Sequence, residues 1–169
     1  TERILVISGP NAGGKSVTLK TTGIIQYMLQ CGLLPPVSDN STAGVFDSIF
    51  IDIGDDQSIE DDLSTYSSHL RNMKTFLARS DRRSLVLIDE FGSGTEPVIG
   101  GAIAEAILER LVERGCYGVI TTHYANIKYF ASRNEGVANG AMAFDVRNIM
   151  PLFRLEMGEP GSSFAIEIA

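Results

Sequence analysis

The stretch Ile4-Leu5-Val6-Ile7-Ser8-Gly9-Pro10-Asn11-Ala12-Gly13-Gly14-Lys15-Ser16 carries most of the information about this fold. Its apolar opening predicts a strand over 3–8 buried on both faces, because the apolar residues run without alternation. Residues Gly9 to Ser16 read G-x-x-x-x-G-K-S, and Val17-Thr18-Leu19-Lys20 can continue as a helix. Strand, glycine-rich turn and helix N-terminus, in that order, are what a phosphate-binding loop requires. The glycines let backbone N–H groups close around phosphate oxygens. Lys15 would then reach the β- and γ-phosphates of a nucleotide, and the Ser16 hydroxyl would sit on Mg²⁺. The alternative is a chance glycine-rich turn, and residues further along the chain weigh against it.

Those residues are Ser84-Leu85-Val86-Leu87-Ile88-Asp89-Glu90, a second buried strand with two carboxylates at its C-terminal end. Ligands of open α/β sheets bind at that end. Asp89 fits the role of holding Mg²⁺, directly or through its water shell, and Glu90 that of a general base orienting water. Alone, such a pair could equally cap a turn; beside Ser16 it completes a metal site. Tyr117-Gly118-Val119-Ile120-Thr121 predicts another buried strand ending in Thr122-His123, level with the carboxylates if the strands are parallel. That placement makes His123 a candidate sensor of the γ-phosphate, against the plainer reading of a structural histidine.

Between these strands the pattern is helical. A helix from about Lys15 to Gln30 would bury Ile24, Ile25, Met28 and Leu29 and stop at Gly32. Pro35-Pro36 forces an extended segment, and 45–46 and 49–53 read as strand. Asp52, Asp55, Asp56, Glu60, Asp61 and Asp62 match no calcium-loop spacing and read as a solvated loop and helix start. Ser64 to about Arg79 predicts a helix with Leu70, Met73, Phe76 and Leu77 inward, and His69 structural or interfacial. After the glycine-rich loop 91–97, Ile99 to about Arg114 predicts an amphipathic helix ended by Gly115. Residues 141–146 and 152–157 read as two strands in a meander on the sheet edge, and 162–166 as the start of a helix.

The chain has 169 residues, 44% hydrophobic and 21% charged, which suits one globular domain. A net charge of −7 argues against a stand-alone nucleic-acid binder, though not against a domain whose neighbours on the polypeptide grip DNA. No apolar run approaches membrane-spanning length and no signal-peptide pattern is present. Cys31 and Cys116 have no metal or redox spacing, so the expected setting is the reducing cytoplasm. The chain opens at Thr1 with a strand starting almost at once, and the expectation is one domain, 1–169, cut from a larger protein.

With both strand-end stretches and the histidine in hand, the chain resembles the ATPase domain of the MutS family, a branch of the ABC-type ATPases. The resemblance rests on Gly9-Pro10-Asn11-x-Gly13-Gly14-Lys15-Ser16, Ser64-Thr65-Tyr66, Asp89-Glu90-x-Gly92-x-Gly94-Thr95 and Thr121-Thr122-His123-Tyr124. Residues 53–60, running into Leu63 to His69, and Gly94-Thr95-Glu96-Pro97 look more like the second bacterial branch than the mismatch-repair enzyme proper. That branch is associated with suppressing recombination on branched DNA and, in some bacteria, with rescue of stalled ribosomes; mismatch recognition belongs to an N-terminal domain that it lacks. The resemblance implies an α/β P-loop fold with a mostly parallel, helix-flanked sheet and antiparallel edge strands near the C-terminus.

It also implies ATP as substrate with Mg²⁺, bound by Gly9 to Ser16 with Val17, and Phe153 packing on adenine, where the alternative is an ordinary core residue. Part of the adenine pocket would precede the first strand. The partner implied is a second copy of the domain, each nucleotide being enclosed between the two. Ser64 of Ser64-Thr65-Tyr66 would reach the opposite γ-phosphate from a helix start, and Ser93-Gly94-Thr95 would couple the two sites. Gln57 lies near a further loop of the wider superfamily, whose local pattern it does not match. Hydrolysis would gate a dimeric clamp on double-stranded or branched DNA; the alternative is an ATP-gated dimerisation module on ribosomes, with hydrolysis incidental. A transporter motor would carry Ser-Gly-Gly ahead of the second strand end, and this sequence has none there.

Overall fold

The computed structural model describes residues 2–10, 13–54, 62–145, 147–148 and 150–161, with the backbone alone for 62–65. In chain order the elements are β1 (Ile4–Ser8), α1 (Lys15–Gln30), β2 (Ser48–Asp52), α2 (Asp62–Arg79), β3 (Ser84–Ile88), α3 (Pro97–Arg114), β4 (Tyr117–Thr121), α4 (Ala125–Arg133), β5 (Val137–Asp145) and β6 (Met150–Met157). The helix expected at 162–166 and the acidic residues 55–61, Gln57 among them, lie outside the described residues.

The six strands form one sheet in the order β2-β3-β4-β1-β5-β6, parallel throughout except for β6. In register, Ile7 faces Thr121 across β1 and β4, and Ile88 faces Ile120 across β3 and β4. The C-terminal ends of β1, β3 and β4 therefore finish level, which lines up the residues following each strand.

Burial on both faces explains the continuous apolar runs. In β3, Val86 and Ile88 face one core layer with Met73 of α2 and Leu108 and Leu111 of α3, while Leu85 and Leu87 join Leu19 of α1 on the other. Cys116 belongs to the first layer, and burial pushes its thiol pKa up to about 11, so it packs as an apolar residue.

Helix ends follow local chemistry. The Glu96 carboxylate accepts from the Val98 and Ile99 N–H groups and Pro97 takes the first helical position, so α3 starts two residues before Ile99. Gly115, at φ +68°, ends it. Gly32, at φ +74°, ends α1, with its N–H on Leu29 O and that of Leu33 on Met28 O.

Three expectations change. The buried face of α1 is Lys15, Leu19 and Gln26, not the predicted stripe: Ile24 is 61% exposed, and Ile25, Met28 and Leu29 are half-buried. The helix meets the sheet at Gly23, where a Cβ would lie 2.9 Å from Leu87 Cδ1, and that approach sets its rotation. Residues 125–133 form a helix that the sequence did not announce; it is only nine residues long and buries only Ile127 and Ala131. Finally, β5 begins at Val137 and lies inside the sheet beside β1, leaving β6 alone at that edge. Its Asn139-Gly140 pair suits a turn, yet in the strand a Cβ at Gly140 would stand a tight 3.0 Å from Leu155 Cδ1 and 3.2 Å from Leu5 Cδ1.

Candidate functional site

The loop after β1 turns on glycines. Gly9 (φ +130°) and Gly14 (φ +90°) adopt backbone conformations that L side chains rarely take, and the Gly13 N–H donates to Pro10 O at 3.0 Å. Gly14 caps α1, so the helix N-terminus opens into the loop. Lys15 is buried, and its ammonium donates to Gly9 O (2.9 Å) and Pro10 O (3.1 Å). Burial lowers its pKa, and the negative charges of Glu90 and Asp89 act against that. Ser16 is half-buried in the first turn of α1 and Val17 exposed. Asn11 and Ala12 lie outside the described residues.

At the end of β3, Asp89 is buried and Glu90 is exposed. Thr121, the fully buried last residue of β4, lies between them. Its hydroxyl donates to Asp89 Oδ1 at 2.5 Å and accepts from the Glu90 N–H at 2.8 Å, while its carbonyl accepts from the Phe91 N–H. Glu90 has φ +46°, a left-handed conformation that is uncommon outside glycine.

His123 follows β4 and faces solvent. Loss of hydration, then the like charges of Lys15 and Lys128, hold its pKa below the ordinary histidine value, with Asp89 opposing. Lys128 of α4 donates to Gly161 O (3.1 Å), and the Gly161 N–H donates to Ser8 Oγ (2.7 Å), so the turn at Gly161 is tied to the end of β1.

Asp52 departs from the expected solvated patch. It is buried at the end of β2, beside Asp89, and its carboxylate binds His69 Nδ1 (2.6 Å) and Asn72 Nδ2 (2.8 Å) of α2. His69 therefore docks α2 on the sheet. Ser64 and Thr65 lie in the first turn of that helix, their side chains outside the described residues. Tyr66 is half-buried and lines a small cavity with Asp52, Asp89, Glu90 and Ser93 of its own chain. It sits against the glycine-rich loop after β3, 3.4 Å from where a Cβ on Gly94 would stand. Ser93 and Thr95 are half-buried and Gly94 is exposed. The Tyr124 hydroxyl donates to Gly92 O (2.9 Å), tying that loop to the segment that carries His123.

Phe153 is not a core residue: it is 70% exposed. The β5–β6 pairing shifts register around it, and its own φ is +50°. The ring stands over the loop, with Cδ1 3.1 Å from where a Cβ on Gly14 would lie.

The sheet thus gathers Lys15, Ser16, Asp89, Glu90 and His123 at one end, with Phe153 at the margin. Thr121, Lys128 and Asp52 are additions of the structure. The available sequence signal for Thr121 was a hydroxyl closing an otherwise apolar strand. Among the described residues no group of three or more His, Cys, Asp or Glu could hold a metal. One carboxylate and one hydroxyl nevertheless suit Mg²⁺, which keeps waters and takes phosphate oxygens as its remaining ligands.

A parallel sheet with a glycine-rich loop joining its central strand to a helix, and with a carboxylate pair two strands away, defines a P-loop α/β domain. More narrowly, this chain belongs to the MutS family, whose domain V matches residues 5–169. It is similar to "Endonuclease MutS2" of Thermomicrobium roseum, 51% identical over 167 residues, or 99% of this chain and 21% of the relative. The proteins of the same name from Exiguobacterium sibiricum and Halothermothrix orenii are each 50% identical over 98% and 99% of this chain. These relatives place it in the second MutS branch, and the chain spans about a fifth of their length.

Proposed function

We propose that this domain binds ATP with Mg²⁺ and hydrolyses it, as the motor of a dimeric MutS-family clamp. The observation that carries the proposal is the meeting of Lys15, Asp89, Glu90 and His123 at the level ends of β1, β3 and β4, close enough for Lys15 to feel both carboxylates and His123 to feel Lys15. In this reading the loop N–H groups and Lys15 hold the phosphates, and Ser16 and Asp89 hold the cation. Bound Mg²⁺ would neutralise charge developing on the β- and γ-phosphate oxygens. Glu90, exposed and on the same side, orients water towards the γ-phosphorus, and His123, its pKa lowered by lost hydration, donates a ring N–H to a γ-oxygen. Phe153 offers its ring face to the base.

The exposure of Glu90 and His123 supports completion of the site by a second copy, whose Ser64 would approach the γ-phosphate. We further propose that DNA is gripped by other parts of the polypeptide, consistent with the acidic charge of this chain. Glu90→Gln in the full-length protein tests the chemistry. The expected result is retained ATP binding with turnover reduced at least about a hundredfold; near wild-type turnover would remove Glu90 from the mechanism.

A further inference from the structure

We propose that Thr121 is the positioning residue of the carboxylate pair: one hydroxyl sets both the metal-facing carboxylate of Asp89 and the backbone that aims Glu90. The inference rests on the ATPase reading above and adds to it a residue outside the strand that bears the pair. Thr121 is fully buried, and its hydroxyl is used in both directions, donating to Asp89 Oδ1 and accepting from the Glu90 N–H. One proton and one lone pair are thereby matched to one acceptor and one donor.

Each contact has a separate consequence. The bond to Oδ1 fixes the rotation of the Asp89 carboxylate and leaves Oδ2 for a hydrated cation. The bond from the Glu90 N–H, with that from the Phe91 N–H to Thr121 O, holds Glu90 in its left-handed conformation. Without those bonds the strain at Glu90 would relax and the carboxylate would turn away. Threonine suits the task because branching at Cβ stiffens its side-chain rotation within a strand. The parallel register places it correctly, since Ile88 faces Ile120 and the next residues are Asp89 and Thr121.

The test compares Thr121→Val, Thr121→Ala and Thr121→Ser with Glu90→Gln in the full-length protein. Steady-state turnover is measured alongside the affinity of a fluorescent ATP analogue, with Mg²⁺ and with EDTA. Valine and alanine are both included so that a folding failure in one leaves the other to decide. The expected result is a kcat about 10- to 100-fold lower in Thr121→Val and Thr121→Ala, with KM moved less than about threefold. Affinity in EDTA should be unchanged, the gain in affinity on adding Mg²⁺ should shrink, and Thr121→Ser should restore both readouts.

Wild-type turnover and Mg²⁺ response in Thr121→Val or Thr121→Ala, with turnover abolished in Glu90→Gln, would overturn the inference and leave the ATPase reading standing. So would a Thr121→Ser variant as impaired as the valine, because that would assign the effect to packing. If Glu90→Gln turns over normally, the catalytic reading fails. The Mg²⁺ gain in affinity then decides Thr121: its loss in the valine or alanine variant with rescue by serine supports positioning of Asp89, and its persistence overturns it.

Discussion

Among the described residues, the two non-glycine residues with left-handed backbone, Glu90 and Phe153, both stand at the candidate site. Such conformations cost on the order of 1–3 kcal/mol each and persist only where surrounding contacts over-determine them. For Phe153 the result is an aromatic face turned over the loop and away from the core. Phe153→Ala should therefore raise the KM for ATP about tenfold, the scale of one lost base stack, with kcat little changed. A change in kcat alone would show that the ring does something else. His123 adds a pH dependence. Its pKa is lowered in the folded state, so below the ordinary value of about 6.5 the unfolded chain binds more protons than the folded one. Its contribution to stability is complete above that value and declines as pH falls through it. Thermal midpoints measured from pH 7.5 to 5.5 (a window chosen about that value) should fall more steeply for the wild type than for His123→Gln; parallel curves would reject the assignment.

The strands and helices show how packing holds the loops in place. Leu108 of α3 is fully buried against the face of the sheet that carries Val86 and Ile120. Leu108→Ala should cost about 2–5 kcal/mol in denaturant unfolding while leaving the loop after β1 in place. Gly92 lies where the segments after β3 and β4 touch. Its φ is +92°, and a Cβ there would stand 2.9 Å from the Tyr124 ring and 3.1 Å from Gly100 O. Gly92→Ala should lower stability by about 1–3 kcal/mol and reduce turnover by displacing Glu90 and His123; a variant of wild-type stability would show that the loop has room to shift. The long apolar runs of β1, β3 and β4 were legible because the middle of a strand buried on both faces holds apolar residues without alternation, with polar residues only at its ends. The short helix α4 and the small-residue start of β5 were not, because their stability comes from neighbours more than from local pattern. Asn139 shows this: its side chain donates to Lys128 O and Ser132 Oγ, tying β5 to α4 in a way no local pattern encodes.

At the scale of the molecule, the candidate site lies at the C-terminal end of the central strands, where Glu90 and His123 face outward. The expectation is ATP-dependent association: in sedimentation of the full-length Glu90→Gln protein, which should bind without turnover, the dimer fraction should rise with ATP and Mg²⁺. No change in association or in DNA or ribosome binding would reject a nucleotide-gated clamp. No helix among the described residues is long and apolar enough to cross a membrane. The chain spans about a fifth of the length of its MutS2 relatives.

The sequence by itself determined the glycine-rich loop after β1, the carboxylate pair after β3, the histidine after β4 and the family. Those features depend on residue types at fixed short spacings, where local backbone chemistry leaves few alternatives. Tertiary structure alone decided that Thr121 bridges Asp89 and Glu90, that Asp52 is buried against His69, and that Phe153 stands over Gly14. The first and last join residues far apart in the chain through strand register and a shift in β-pairing, and the second depends on how α2 docks on β2. A one-residue change of register would leave the motifs legible and dissolve the contacts.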